Sequence, residues 1–349
     1  MKVNGKRLRA LVLFGLLLGA STAPSAHADW VAALSERVAR IDAETAGELG
    51  VYIKRLGEPA VLDHQAQRAW YLASTIKVPV AIVLLQMVEA GELSLDEELE
   101  LAATDYVDGA GDLIWQPPGG RYTLGTLLEK MIRNSDSTAT DMLIRRIGED
   151  ELNRRIKASV APEGFQPFTT ILQVRYDAYG ELHPSVRQLS NMDIIRLKTA
   201  APGAERLRAL LDRLPVDAKA LQAPSIEAAF ERYYQRGLNS GTLTAYGRML
   251  ERLVSGELLT PTHTRLLLDH MQNITTGSTR IQAGLPAGTD FAEKTGTQIA
   301  RACNMGIIEP DTDAPVIVTA CAEKFDSLRQ AEAALARLGQ ALRDAALLD

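Results

Sequence analysis

The order of patterns along the 349-residue chain predicts an α+β fold. Three observations carry that expectation. Alternating apolar positions around Val51-Tyr52-Ile53 read as an early strand, and a long stretch of helical spacing follows it. Residues 290–293, 302–308 and 316–322 then change period and read as strands. Residues 328–348 close the chain as an amphipathic helix rich in Ala and Leu. An early strand and late strands that share one sheet place a helical block between them, with the first and last helices packed on the sheet.

Each element has a local reason. At the N-terminus Lys2, Lys6, Arg7 and Arg9 precede a short apolar run, and Ala26-His27-Ala28 is a small-x-small site before Asp29. This reads as a secretory signal peptide over residues 1–28, because a membrane span needs about 20 apolar residues. Cleavage removes four positive charges and no negative ones, so the formal net charge goes from −6 to −10. A chain this acidic has no electrostatic footprint for nucleic acid. No later stretch is long and apolar enough to span a bilayer, so a periplasmic or secreted protein is expected.

Residues 78–90 form a long apolar helix ending at Gly91, and residues 124–132 form an amphipathic one. Residues 142–156 are helical with an interruption at Ile147-Gly148, and residues 165–177 have weak strand or loop character. Residues 191–271 are mostly helical and punctuated by prolines. Glu309-Pro310-Asp311 opens a turn between the last two strands. If Ile308 pairs with Val316 across that turn, Cys303 falls opposite Cys321; a slip of one residue parts them. Export permits a disulfide, and the register decides whether one forms. His64, His183, His263 and His270 show no metal-binding pattern.

Three short motifs stand in order: Ser74-Thr75-Ile76-Lys77, Ser135-Asp136-Ser137 and Lys294-Thr295-Gly296-Thr297. A serine hydroxyl needs a neighbouring base to become a nucleophile. Lys77, three residues on, shares a helix face with Ser74, and it acts as a base only when burial or a nearby cation keeps it neutral. Lys294 is a candidate for that cation and for binding a substrate carboxylate. Gly296 lets a substrate lie against the strand, and Ser135 is placed to pass a proton to a leaving nitrogen. Each motif alone has a plain reading: a helix cap for the serines, a turn for Lys-Thr-Gly. Their joint order is the set shared by penicillin-binding proteins and class A β-lactamases.

The chain resembles serine β-lactamases of class A and related penicillin-binding proteins over nearly all of residues 29–349. Residues 111–124, Leu258-Leu259-Thr260-Pro261, Asn273-Ile274-Thr275-Thr276-Gly277 and residues 280–286 add to the likeness. The resemblance implies a β-lactamase/transpeptidase-like fold in one catalytic domain. An antiparallel sheet is flanked by N- and C-terminal helices, and a helical subdomain spans about 91–276. It also implies Ser74 as acylated nucleophile, Lys77 as base or relay, and Ser135 as proton shuttle. Ser137, Lys294, Thr295, Gly296 and Thr297 would bind substrate, and the N–H groups of Ser74 and Thr297 would hold the oxyanion. Arg280 and Glu293 would form a buried structural pair.

Three departures stand out. Ser137 replaces the family's Asn. The family's Glu-x-x-Leu-Asn loop, which supplies the deacylating base, is matched only by Tyr179-Gly180-Glu181-Leu182-His183. Without a gap Tyr179 takes the glutamate's place, which leaves Glu181 or Asp177 as candidate bases if the loop is re-routed. Residues 184–238 look like an insertion, read as a helical elaboration away from the chemistry or as a pocket wall using Arg232, Tyr233, Tyr234 and Arg236. The expected function is an exported monomeric serine hydrolase of class A β-lactamase type, without metal or organic cofactor. A D-alanyl peptidase or esterase that deacylates β-lactams poorly is the alternative. A sensor that uses acylation as a signal ranks last, since no output domain is legible.

Overall fold

The computed structural model describes residues 1, 2, 26–345, 347 and 348. The expected signal peptide falls mostly on residues 3–25, outside the described residues. A five-stranded sheet runs in the order Val61–His64, Glu48–Arg55, Val316–Glu323, Arg301–Ile308, Phe291–Gln298, and every neighbouring pair is antiparallel. The early strand thus sits beside the last one, as the α+β reading expects.

The sheet sorts its side chains by the two-residue period of a strand. Val51, Ile53, Val316 and Val318 face the terminal helices Ala26–Glu44 and Leu328–Asp344, meeting Leu34, Val38, Leu335 and Leu338. Tyr52, Cys303, Met305 and Ile317 face the opposite way, into a core with the helices Lys77–Glu89, Leu124–Arg133 and Leu243–Val254. The Lys77–Glu89 helix is apolar on all sides and almost entirely buried, as an all-round apolar sequence requires.

Ile308 pairs with Val316, and the same register sets Cys303 opposite Cys321. The two cysteines form a disulfide with Cα atoms 4.0 Å apart.

Two elements depart from the sequence expectation. The strand expected to end at Glu293 runs on through Lys294-Thr295-Gly296-Thr297 to Gln298. Residues 165–177 hold no strand pairing beyond one bridge at Phe165; Ile171–Gly180 is a helix. Its period is masked because Val174, Arg175, Asp177, Ala178 and Tyr179 are all buried, so apolar and polar residues do not segregate to faces. Its N-terminus is fixed by Thr170 and by the buried Asp141, which accepts from Ile171 N (2.6 Å) and Leu172 N (2.8 Å). A third core joins this helix to residues 184–238 through Tyr71, Val174, Ala178, Ile194, Phe230 and Tyr233.

Candidate active site

Ser74 sits in the 3-10 turn Ala73–Ile76 that leads into the Lys77–Glu89 helix. With three residues per turn, positions 74 and 77 fall in line one above the other. The turn lies on the edge strand Phe291–Gln298, and Gly296 makes the approach possible. A Cβ there would stand 2.5 Å from Leu72 O and 3.1 Å from Ser74 N. Glycine is therefore required first by the fit of the nucleophile turn, ahead of any clearance for substrate. As the sheet's edge, this strand leaves alternate N–H groups free of ladder bonds.

Lys77 is fully buried. Its Nζ donates to Ser135 O at 2.5 Å and to Ser135 Oγ at 3.1 Å. Burial, opposed by Asp136 and Asp141 and aided by Arg175, brings its pKa down to about 7. A neutral amine beside Ser135 is thus accessible near neutral pH, as general-base catalysis requires. Lys294 is fully buried too, and burial and then Lys77 hold its pKa well below the usual lysine range.

Ser135 has φ +54, a left-handed conformation that a serine rarely adopts. Asp136 holds it there. Its carboxylate caps the Ser137–Ile147 helix at Ala139 N (2.8 Å) and accepts from Asp112 N (2.8 Å) and Leu113 N (3.0 Å). Gly111, at φ +102, is pressed against that carboxylate, where a Cβ would come within 2.1 Å. Ser137 lines the cavity, whereas Lys77 takes its partners from Ser135.

A cavity of about 510 Å³ opens over Ser74, Ser135, Ser137, Thr295 and Thr297, within the range of small-molecule sites. Lys77 and Lys294 lie buried beneath it. The two walls differ. On the sheet side, Arg280 donates to Thr297 Oγ1 (2.6 Å), Gly296 O (3.0 Å) and Cys303 O (2.8 Å). Glu293 instead takes a hydrogen bond from Asn304 Nδ2 at 2.5 Å, and burial raises its pKa to about 7. The expected Arg280–Glu293 pair is therefore corrected: each has its own partners, and Arg280's carboxylate neighbour is Glu332 at 3.5 Å.

On the helical side Arg175 and Lys198 share one carboxylate. Arg175 Nε lies 2.5 Å from Asp108 Oδ1, and Lys198 Nζ lies 3.0 Å from Asp108 Oδ2. Burial opposes the charge on Asp108, but the two cations hold its carboxyl below the usual range. Arg206 completes this wall.

Glu181 is outside this arrangement. It follows the Ile171–Gly180 helix, pairs with Arg236 Nε at 3.2 Å, and does not line the cavity. Asp177 is bound to Arg187 at 2.7 Å and also stays off the lining. The placement of Glu181 as deacylating base is thus corrected: the helix carries it past the cavity and Arg236 takes its carboxylate.

The reading of residues 184–238 as remote from the chemistry is corrected as well, since Lys198 and Arg206 line the cavity. Tyr233 and Tyr234 do not line it; their rings back Tyr71, which does, at 6.0 and 4.6 Å. Sequence reasoning missed Asp108, Arg175, Lys198, Arg206 and Asn239. Asn239, at φ +53, joins the two sides: its carbonyl accepts from Leu72 N (3.0 Å), and its side chain bonds Thr169 and Tyr233. No local spacing marks these residues.

The model of the beta-lactamase enzyme family matches residues 33–346. A beta-lactamase of Mycobacterium tuberculosis is 26% identical over 323 residues, covering 92% of this chain and 86% of that protein. Beta-lactamase CTX-M-8 of Citrobacter amalonaticus is 22% identical and covers 97% of each chain. Among solved structures, a beta lactamase from Xanthomonas campestris pv. campestris superposes with a TM-score of 0.68 at 20% identity. It covers 91% of this chain and 99% of that one. A mutant of PBP-A, solved as an acyl-enzyme complex with penicillin G, has a TM-score of 0.67 at 20% identity and covers 91% of this chain and 97% of that one. Motif order, fold and family match agree: the chain belongs to the beta-lactamase enzyme family and is a serine β-lactamase-like hydrolase.

Proposed function

We propose that the protein is an exported serine hydrolase that opens the β-lactam amide through an acyl-Ser74 intermediate. The observation that carries this reading is the buried Lys77, with a pKa of about 7, bonded to Ser135 beneath the cavity that Ser74 lines. Neutral Lys77 accepts the Ser74 proton as Oγ attacks the lactam carbonyl. The N–H groups of Ser74 and Thr297 hold the oxyanion. The C–N bond breaks, Ser135 passes the proton to the leaving nitrogen, and the acyl group stays on Ser74 until water releases it. Lys294, Thr295 and Thr297 receive the substrate carboxylate, and Arg280 orients the Thr297 hydroxyl. Export rests on the leader pattern and is supported by the Cys303–Cys321 disulfide, which suits an oxidising compartment.

The wall where the family's deacylating carboxylate is expected carries Arg175, Lys198 and Arg206, and Glu181 is tied to Arg236. That favours a second reading, a D-alanyl peptidase or esterase that β-lactams acylate and leave slowly.

A chromogenic cephalosporin, followed by turnover and intact mass, separates the two. Sustained turnover that vanishes in Ser74→Ala supports the hydrolase; a burst with a stable adduct supports the peptidase or esterase. An adduct retained by Ser74→Ala would falsify the acyl-Ser74 mechanism.

A further inference from the structure

The two walls of the cavity balance their charges differently. On the sheet side Arg280 has Glu332 at 3.5 Å. On the helical side three cations, Arg175, Lys198 and Arg206, face the same cavity against the single carboxylate of Asp108. Arg206 forms no ion pair with a carboxylate among the described residues. Its Nη2 donates to Ala200 O at 3.1 Å, and its Nε is buried without a hydrogen-bond partner. It stands beside the phenol of Tyr179, the position that takes the place of the family's glutamate when the loop is read without a gap. Arg175 is buried and fixed by Asp108, so this wall is preorganised; Lys198 pairs with the same carboxylate and keeps its side chain 45% exposed at the cavity.

Cations assembled around too little negative charge in a partly desolvated cleft attract an anion and bind it more strongly than they would in water. We infer that Arg206, Lys198 and Arg175 form a second anion subsite, which takes a carboxylate on the acyl portion of the substrate. The preferred acyl donor is then a dianion. One carboxylate lies at Thr297 on the sheet wall, the other on the helical wall, and the carbonyl stands between them at Ser74. This inference rests on the acyl-Ser74 reading for its substrate, though the subsite itself can be probed apart from it.

The test compares benzylpenicillin with α-carboxybenzylpenicillin, which differ by one carboxylate on the acyl side chain. Second-order rate constants for acylation of Ser74 are read by quenched intact mass. The wild-type protein is expected to favour the dicarboxylate by about tenfold, the scale of one charge-assisted hydrogen bond. That ratio should fall towards one in Arg206→Gln and in Lys198→Gln, survive in Arg206→Lys, and shrink at high ionic strength. A wild-type ratio at or below one, or a ratio unchanged in both Gln variants, overturns the subsite.

If neither penicillin acylates Ser74, the β-lactam reading fails and the subsite is decided by sulfate at constant ionic strength. A rise in Tm that Arg206→Gln loses supports it, and equal rises in both proteins overturn it.

Discussion

The sheet wall and the helical wall of the cavity are built in opposite ways. The sheet wall is built around one continuous strand, Phe291–Gln298, whose register against Arg301–Ile308 fixes Lys294, Thr295 and Thr297 together. The helical wall gathers Asp108, Arg175, Lys198 and Arg206 from segments far apart in the chain. The first is a product of local pattern. The second exists only because the Ile171–Gly180 helix and residues 184–238 share a core around Tyr71. Chemistry written in contiguous residues can thus be read early, while selectivity assembled from scattered charges waits for the fold.

The largest effect expected from breaking this contrast is at Asp108. Asp108→Asn leaves Arg175 buried without its carboxylate, and breaking a buried pair costs roughly 3–5 kcal/mol. Urea unfolding should show that loss, together with a weaker hold on the Ile171–Gly180 helix. A cost below about 1 kcal/mol would mean that solvent already screens Arg175 and that the pair contributes little.

A smaller effect links the walls through Lys77. Only the neutral amine accepts a proton, and its pKa is about 7. The acylation rate should therefore rise with pH, pass half-maximum near pH 7, and level off above it. Arg175 helps to hold that pKa down, so Arg175→Gln should move the midpoint to higher pH. A pH-independent acylation rate between about pH 5 and about pH 9 would remove Lys77 as the base.

The smallest effect is expected at Glu181. Its ion pair with Arg236 is partly exposed, and such pairs contribute about 0–1 kcal/mol. Glu181→Gln should leave the deacylation rate of a bound acyl group unchanged when followed by intact mass. A large slowing would return Glu181 to the mechanism through a movement of its helix end.

Much of the fold was legible because it rests on period and register. The late strands and the turn at Glu309-Pro310 were legible and left two registers open; the structure takes the one that sets Ile308 opposite Val316 and Cys303 opposite Cys321. The Ile171–Gly180 helix was not legible, since it is buried on both sides and its polar residues point inward to Asp108 and Arg187. Ser74, Lys77, Ser135 and Lys294 were legible as candidates by motif order. Glu181 was misplaced because loop spacing does not say which way a carboxylate turns at a helix end.

The sequence by itself determined the α+β order, the presence of the final strands and the three motifs, because each depends on neighbours a few residues apart. The tertiary structure alone decided that Lys77 is buried enough to lose its proton near neutrality. It alone decided that Gly296 must clear the nucleophile turn and that three cations line a wall holding one carboxylate, across from Thr297. The physical reason is the same in each case. Desolvation, close approach and charge balance are sums over atoms brought together from distant parts of the chain, and no local spacing carries them.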